Sequence, residues 1–161
     1  MLLVQNLLSF TLLLPLFGSF LLLVTPFQNK PVLKSIVLNF SCLTFISSLF
    51  IWVFFDKSVG TFQFTEKFLW IPISSINFPL GIDGISLFFV ILTTMLIPLC
   101  LLASWESVQA DLKKYFMAFL IMEFFLIGVF CILDLLLFYI FFESVLIPMY
   151  LIVGVWGSRE R

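Results

Sequence analysis

Five long apolar runs fill most of this 161-residue sequence and limit what it can fold into. Each run is close to the length of about 20 residues that an α-helix needs to cross the hydrocarbon core of a bilayer. The runs cover residues 2–24, 32–55, 85–105, 115–132 and 135–156. We therefore expect an all-α membrane protein with five transmembrane helices, and a single transmembrane region over residues 1–161.

The composition excludes a soluble fold. Hydrophobic residues make up 63% of the chain and charged residues 11%, whereas soluble domains are about half apolar and about a quarter charged. A soluble chain of this size could not bury that much apolar surface. The net charge of −1 gives no electrostatic case for binding nucleic acid, so membrane lipids are the expected surroundings.

The basic residues are distributed unevenly between the two ends of the predicted helices. Six lie at one end and two at the other: Lys30, Lys34, Lys113, Lys114, Arg159 and Arg161 against Lys57 and Lys67. The positive-inside rule places the larger group on the negative side of the membrane, the matrix or the cytoplasm. The C-terminus should therefore face the negative side, and the N-terminus the positive side.

The longest polar stretch, residues 57–79, separates the second and third runs. Polar and apolar residues alternate over 62–65, Glu66 and Lys67 could form a turn, and a second apolar segment follows at 68–71. This pattern predicts a short surface hairpin between helices 2 and 3. Two prolines should then interrupt the chain before the third run, Pro72 and Pro79.

Two glutamates, Glu123 and Glu143, lie near the middle of the fourth and fifth runs. The two runs are joined by a very short turn near Asp134, so both carboxyl groups should lie at a similar depth, close to the midplane. Insertion scales put the cost of a charged acid there at ~2.5–3.5 kcal/mol, so it must be protonated, paired or hydrated. A proton or ion relay is one interpretation. A protonated acid that only packs between helices is the other.

Three prolines inside the runs each follow a hydroxyl residue by four positions. The pairs are Thr11 with Pro15, Thr94 with Pro98, and Ser144 with Pro148. Proline frees the carbonyl of the residue four positions earlier, and a nearby hydroxyl or water can help to satisfy it. Because Ser144 adjoins Glu143, the sequence favours a local polar site there. A simple packing kink explains the other two pairs equally well.

Further residues indicate local structure. Asp83 and Asp134 precede helices and should cap their first turns, where free N–H groups favour an acid. Gly128 and Gly154 should allow close contact between helices.

The sequence shows no motif for binding a metal or a cofactor. The three cysteines lie in apolar runs without metal spacing, so we expect small buried side chains with free thiols. Histidine is absent, which removes the commonest metal ligand and proton shuttle.

Four segments carry a family resemblance: FPLGIDGISL at 78–87, ME at 122–123 with IGVF at 127–130, LDLLLFYIFFESVLIPM at 133–149, and VGVWG at 153–157. They resemble the antiporter-like, proton-pumping subunits of respiratory complex I, and most of all the N-terminal part of NADH-ubiquinone oxidoreductase chain 4. The resemblance is strong over residues 77–161 and weaker over 1–76.

The resemblance implies a membrane-arm subunit of the mitochondrial inner membrane that takes part in proton translocation. Glu143 matches the family's fifth-helix glutamate, which pairs with a lysine on a later helix, and Glu123 matches a second acid in the fourth helix. NADH, FMN, iron–sulfur clusters and ubiquinone would belong to the wider complex, with no cofactor bound by this chain. The expected partners are other membrane-arm subunits, including neighbouring antiporter-like subunits.

The chain departs from the family pattern in length. The family has about fourteen helices, whereas this sequence stops after the fifth and has no lysine in the middle of a run to pair with Glu143. Either the gene is split, and a second chain carrying the rest of chain 4 is an expected partner, or the sequence is part of a longer protein. Two alternative functions remain open at this point: a subunit of a multi-chain sodium–proton antiporter, and a non-pumping assembly scaffold.

Overall fold

The computed structural model describes residues 6–26, 30–71, 76–108 and 111–157. Five helices in these segments are long and apolar enough to cross a membrane, which confirms the predicted fold class. They are α1 (Leu7–Val24), α2 (Lys30–Phe54), α3 (Gly84–Ala103), α4 (Leu112–Cys131) and α5 (Leu135–Trp156). The bounds of α5 are those predicted, while α2, α3 and α4 each begin one to three residues earlier than their apolar runs.

The first four helices form a closed ring, and α5 packs outside it. In the ring α1 contacts α2 and α4, and α3 also lies between α2 and α4. The fifth helix packs mainly against α4. Of the 18 most apolar consecutive residues of α5 only 17% are buried, against 33–50% in the corresponding stretches of the other four helices. The chain therefore has an enclosed interior within the ring and an open outer helix.

A two-stranded antiparallel hairpin connects α2 to α3, as predicted, but its turn is elsewhere. The strands are β1 (Gln63–Ile71) and β2 (Ile76–Ile82). Glu66 and Lys67 are not a turn; they lie within β1, opposite Leu80 and Pro79. The apolar segment at 68–71 continues the first strand because its partner is the later segment before α3. The connection between the strands, including Pro72, lies outside the described residues.

Pro79 does not break the chain, because it lies inside β2. Both strands of a two-stranded hairpin are edges, where proline is tolerated. The carbonyl of Pro79 accepts a hydrogen bond from Leu133 N at 3.0 Å, between α4 and α5. The hairpin is thereby tied to one end of the bundle, called here the hairpin end.

The opposite end carries Lys30, Lys34, Lys113 and Lys114 and is called here the lysine end. Lys34 Nζ donates to the carbonyl of Trp105 at 2.7 Å, and Lys113 Nζ donates to the last carbonyls near α1. A cation at the C-terminal end of a helix complements its dipole. The grouping agrees with the predicted placement of these four lysines on one side. The side of the membrane that they face stays a prediction.

Buried apolar side chains form two separate clusters within the bundle. The hairpin-end cluster contains Leu8, Leu12, Ile51, Leu80, Ile82, Leu87, Val90, Ile127, Cys131, Ile132, Leu137 and Phe141. The lysine-end cluster contains Leu22, Leu33, Val37, Ile97, Leu101, Leu112, Tyr115, Phe116, Phe119 and Leu120. Every ring helix contributes to both clusters, so the clusters define two levels along the ring.

The cysteines only partly match their predicted burial. Cys131 is buried in the hairpin-end cluster, whereas Cys42 and Cys100 are exposed on the outer surface of the chain. An apolar run in a membrane protein can face lipid as well as protein, so run composition alone did not settle burial. All three are free thiols.

Glu66 links the hairpin to the start of α1. Its carboxyl accepts hydrogen bonds from Ser9 N at 3.3 Å and from Ser9 Oγ, and the side chain is 7% exposed. An acid at a helix N-terminus binds N–H groups that lack partners within the helix. The sequence pattern gave Glu66 only a turn position and so missed this role.

Replacing Glu66 with alanine should lower the free energy of unfolding by about 1–2 kcal/mol, because the first turn of α1 loses its acceptor. Lys67→Ala is the matched control, since Lys67 is the next residue on the strand and is exposed. Detergent-induced unfolding followed by circular dichroism measures both. Equal losses in the two variants would contradict the anchoring role.

Candidate functional site

Glu123 lies inside the ring and is completely buried, with 0% exposure. On the same face of α4, Leu120 belongs to the lysine-end cluster and Ile127 to the hairpin-end cluster. The carboxyl therefore lies between the two clusters. Within the described part of the chain, neither of its oxygens has a hydrogen-bond partner.

Other buried polar side chains occupy this interval between the clusters. We call the set the polar layer: Ser41, Thr44, Ser47 and Ser48 on α2, Thr94 on α3, and Glu123 on α4. On α3 the interval separates Val90 from Ile97. The interior of the ring is thus apolar at both ends and polar at an intermediate level.

The hydroxyl groups of the polar layer are held by their own helices. Thr44 Oγ1 donates to the Phe40 carbonyl at 2.8 Å, and Thr94 Oγ1 donates to the Val90 carbonyl at 2.9 Å. A bond of 2.8 Å between Ser48 Oγ and Thr94 Oγ1 joins α2 to α3. Each hydroxyl oxygen can also accept hydrogen bonds through its lone pairs.

Glu143 lies on the outer helix and is exposed. The buried residues of α5 are Leu137, Phe141 and Pro148, which face the rest of the chain. Glu143 comes two residues after Phe141, a rotation of about 200° around the helix, and so points away from α4. It lines a shallow depression together with Ser144, Leu146, Ile147, Tyr150 and Leu151.

The two glutamates lie at matching distances from the turn between their helices. Glu123 is eight residues before the end of α4 at Cys131, and Glu143 is eight residues after the start of α5 at Leu135. Each is therefore about 12 Å along its helix from the turn. Among the described residues, no hydrogen bond or ion pair joins the two carboxyl groups. One faces the ring interior and the other faces away from the chain.

Asp134 and Asp83 lie at the starts of α5 and α3. Asp134 Oδ1 accepts hydrogen bonds from Leu136 N at 2.9 Å and Leu137 N at 3.1 Å. Asp83 Oδ1 accepts from Ser86 N at 2.7 Å. Hydrogen bonds from the Ser86 side chain, and then from its backbone, lower the pKa of the Asp83 carboxyl. This cap therefore weakens as the pH falls through that pKa.

The hydroxyl four residues before each proline was expected to help satisfy the carbonyl that the proline frees, but it bonds to another carbonyl. Thr11, Thr94 and Ser144 donate to the carbonyls of Leu7, Val90 and Ile140, one turn earlier. The carbonyl that each proline frees is that of the hydroxyl residue itself, and these bonds go to a different carbonyl. The polar support that the sequence assigned to Ser144, Pro148, Thr94 and Pro98 is therefore not a bond to the freed carbonyl.

Gly128 brings α4 and α5 together. A β-carbon at this position would overlap the ring of Phe141, so the close contact predicted there is confirmed. Nothing in the described chain lies within 4 Å of a β-carbon at Gly154, so the same prediction for Gly154 concerns the uncovered surface of α5 and stays a prediction. Gly154 is on the exposed part of α5, away from α4.

In the described segments the donor set gives no metal centre. Among residues 6–26, 30–71, 76–108 and 111–157, no group of three or more histidine, cysteine, aspartate or glutamate side chains could hold an ion. The chemistry available to the site consists of two carboxyl groups within membrane-spanning helices and the hydroxyl groups near them.

The comparison with curated proteins decides the family. The chain is 55% identical to NADH-ubiquinone oxidoreductase chain 4 of Chondrus crispus over 97% of its own length, and 56% identical to that of Arabidopsis thaliana over 96%. This chain belongs to the chain 4 family. It is also 42% identical to NADH-quinone oxidoreductase subunit M of Rickettsia prowazekii over 95% of its length. No family model matches the chain.

Membership of the chain 4 family confirms the resemblance drawn from the sequence. The chain spans about a third of the length of these relatives, from 31% to 32%. Together with the five apolar helices, the family supports a multi-pass protein of the mitochondrial inner membrane, as predicted.

In this member of the chain 4 family, Gly128→Ala should lower the free energy of unfolding by about 1–3 kcal/mol, because the new methyl group overpacks against Phe141. Gly154→Ala is the control and should leave it unchanged or slightly higher. Detergent-induced unfolding of both variants measures the difference. A Gly128→Ala variant as stable as the control would contradict the close packing of α4 and α5.

Proposed function

We propose that this chain takes part in proton translocation as a membrane-arm subunit of respiratory complex I, coupled to NADH oxidation and ubiquinone reduction in other subunits. In this proposal residues 1–161 form one transmembrane region that corresponds to the N-terminal portion of a longer antiporter-like subunit. The observation that carries it is Glu143, an acid near the middle of a membrane-spanning helix on a face that the chain leaves uncovered.

An acid at this position needs a partner. Facing lipid, an ionised carboxylate costs at least ~2.5–3.5 kcal/mol, so it must be protonated, paired or hydrated. The described lysines lie near helix ends or in the hairpin region, and none pairs with Glu143. The covering surface therefore comes from another segment or a second chain, and we expect it to contribute a basic group.

Such a partner would allow Glu143 to take up and release a proton. An ammonium group a few ångströms away stabilises the ionised carboxylate, and its withdrawal favours the protonated acid. A change in this pairing, driven by charge movement along the membrane arm, would move one proton. Ser144 lines the depression that holds the carboxyl, while Pro148 lies on the same helix with its side chain buried against the rest of the chain.

Glu123 would be the second group of the relay. It is at a comparable distance from the α4–α5 turn but faces the ring interior instead of the outer surface. In this role it would communicate with a neighbouring antiporter-like subunit or with the polar axis of the membrane arm. The polar layer supports the role because its buried hydroxyl groups lie in the same interval between the clusters as an acid without a hydrogen-bond partner among the described residues.

The remaining parts of the proposal concern the surroundings of the chain. NADH, FMN, the iron–sulfur clusters and ubiquinone are assigned to other subunits, and the rest of the chain 4 sequence is assigned to a further segment or to a second chain. The names of the relatives favour complex I over a multi-chain sodium–proton antiporter. A non-pumping scaffold predicts no basic group near Glu143 and no loss of pumping when the acid is neutralised.

Glu143→Gln should abolish most proton translocation in the assembled complex, because the amide keeps the size of the side chain but cannot exchange a proton. Glu143→Asp should retain part of the rate. Proton uptake by membrane vesicles during NADH oxidation measures both variants. Oxidation of NADH with an artificial acceptor shows whether the rest of the complex is intact.

Asp56→Asn is the control, since Asp56 is an exposed acid outside the helices and should leave pumping unchanged. A Glu143→Gln complex that assembles normally and pumps at the full rate would overturn the proposed role.

A further inference from the structure

We infer that the polar layer binds a small cluster of internal water molecules that links the Glu123 carboxyl to the Ser48–Thr94 hydroxyl pair. This site lies inside the ring and is separate from the exposed surface around Glu143. The inference does not depend on the translocation role proposed for Glu143, since it concerns only how a buried acid is satisfied.

The burial of Glu123 limits what can bind it. The side chain has 0% exposure within this chain alone, so a side chain from another subunit cannot reach it without moving a helix of the ring. Both carboxyl oxygens still lack a protein partner among the described residues. A buried polar group is normally hydrogen-bonded, and a buried water molecule supplies about three hydrogen bonds in a very small volume.

The hydroxyl groups of the polar layer present the matching chemistry. Ser41, Ser47 and Thr44 donate to carbonyls of their own helix at 2.8–3.1 Å, so their donor capacity is occupied. Their oxygen lone pairs remain able to accept. A water molecule donates two hydrogen bonds and accepts others, so it can bridge such acceptors to the O–H of a protonated carboxyl.

The spacing of the two clusters places Glu123 and Thr94 in corresponding intervals of α4 and α3. On α4 the nearest members of the two clusters, Leu120 and Ile127, are seven residues apart. On α3 the nearest members, Val90 and Ile97, are also seven residues apart. Seven residues of helix span about 10 Å. Glu123 and Thr94 each lie within this interval on their helices, and Ser48 bonds directly to Thr94.

Water fits the site better than a cation. Sodium or another hard cation needs several oxygen ligands, usually with more than one carboxylate or carbonyl. The polar layer has a single acid, and its other members are neutral hydroxyls. A protonated carboxyl and water molecules satisfy each other without burying a net charge.

The test follows hydrogen–deuterium exchange of the Glu123 carboxyl in the assembled complex by infrared difference spectroscopy. The carboxyl band is assigned by its loss in Glu123→Gln. In D₂O the band of the unmodified complex should shift, because water in the layer exchanges the proton. Thr94→Val should slow that exchange by about tenfold, the effect of losing one buried hydrogen bond.

Thr93→Val is the matched control. Thr93 is the adjacent residue on α3. Its hydroxyl donates to the backbone carbonyl of Phe89 and lies outside the polar layer. This variant should exchange at the rate of the unmodified complex. Equal rates in the two threonine variants, or a band that never shifts in D₂O, would overturn the water site.

A density map of the unmodified complex that resolves water provides a measurement free of variants. It should show water within about 3 Å of the Glu123 carboxyl. An ion there, or only apolar side chains, would contradict the inference. These results are separate from the Glu143 test, because pumping could be lost or kept in Glu143→Gln whatever occupies the polar layer.

Discussion

The cost of an unsatisfied polar group in a medium without water governs this structure. Within a bilayer, backbone groups must bond inside their own helix, and a carboxyl group must be neutralised, paired or hydrated. The hydroxyl residues of the ring meet this requirement by donating to their own backbone carbonyls, as Thr44 and Thr94 do. Among the described residues neither carboxyl oxygen of Glu123 has a partner, and Glu143 is hydrogen-bonded by Tyr139 of its own helix, which does not neutralise an ionised carboxylate. Each acid therefore marks a place where a further group is needed to satisfy the carboxyl.

The fold separates the two acids by placing them on different kinds of surface. The ring of α1–α4 encloses Glu123 between two apolar clusters, while α5 carries Glu143 on its uncovered side. Charged groups close the ring at its ends, where water and headgroups are near. Glu66 binds the start of α1 from the hairpin, and Lys113 binds the carbonyls at its other end. The charged groups at the ends of the ring hold its elements together, and the two acids within the helices are the groups that the proposed proton chemistry uses.

Hydrophobicity alone was enough to predict five helices, and the residues that begin α5 were placed correctly because Asp134 precedes an uninterrupted apolar run. The turn of the hairpin was misplaced because the partner of the first strand lies after the undescribed connection, at Ile76–Ile82. The faces of Glu123 and Glu143 could not be predicted, since both runs are apolar on every side. The polar layer was missed for a related reason: four hydroxyl residues on α2 form one level with Thr94 and Glu123 only after the helices pack.

The central claim is that Glu143 meets a basic group supplied from outside residues 1–161. The most direct measurement is the distance from the Glu143 carboxyl oxygens to the nearest ammonium nitrogen in a structure of the assembled complex. We predict a lysine within about 4 Å, or joined to the carboxyl through one water molecule. A carboxyl surrounded by lipid tails, with neither a cation nor water beside it, would contradict the account.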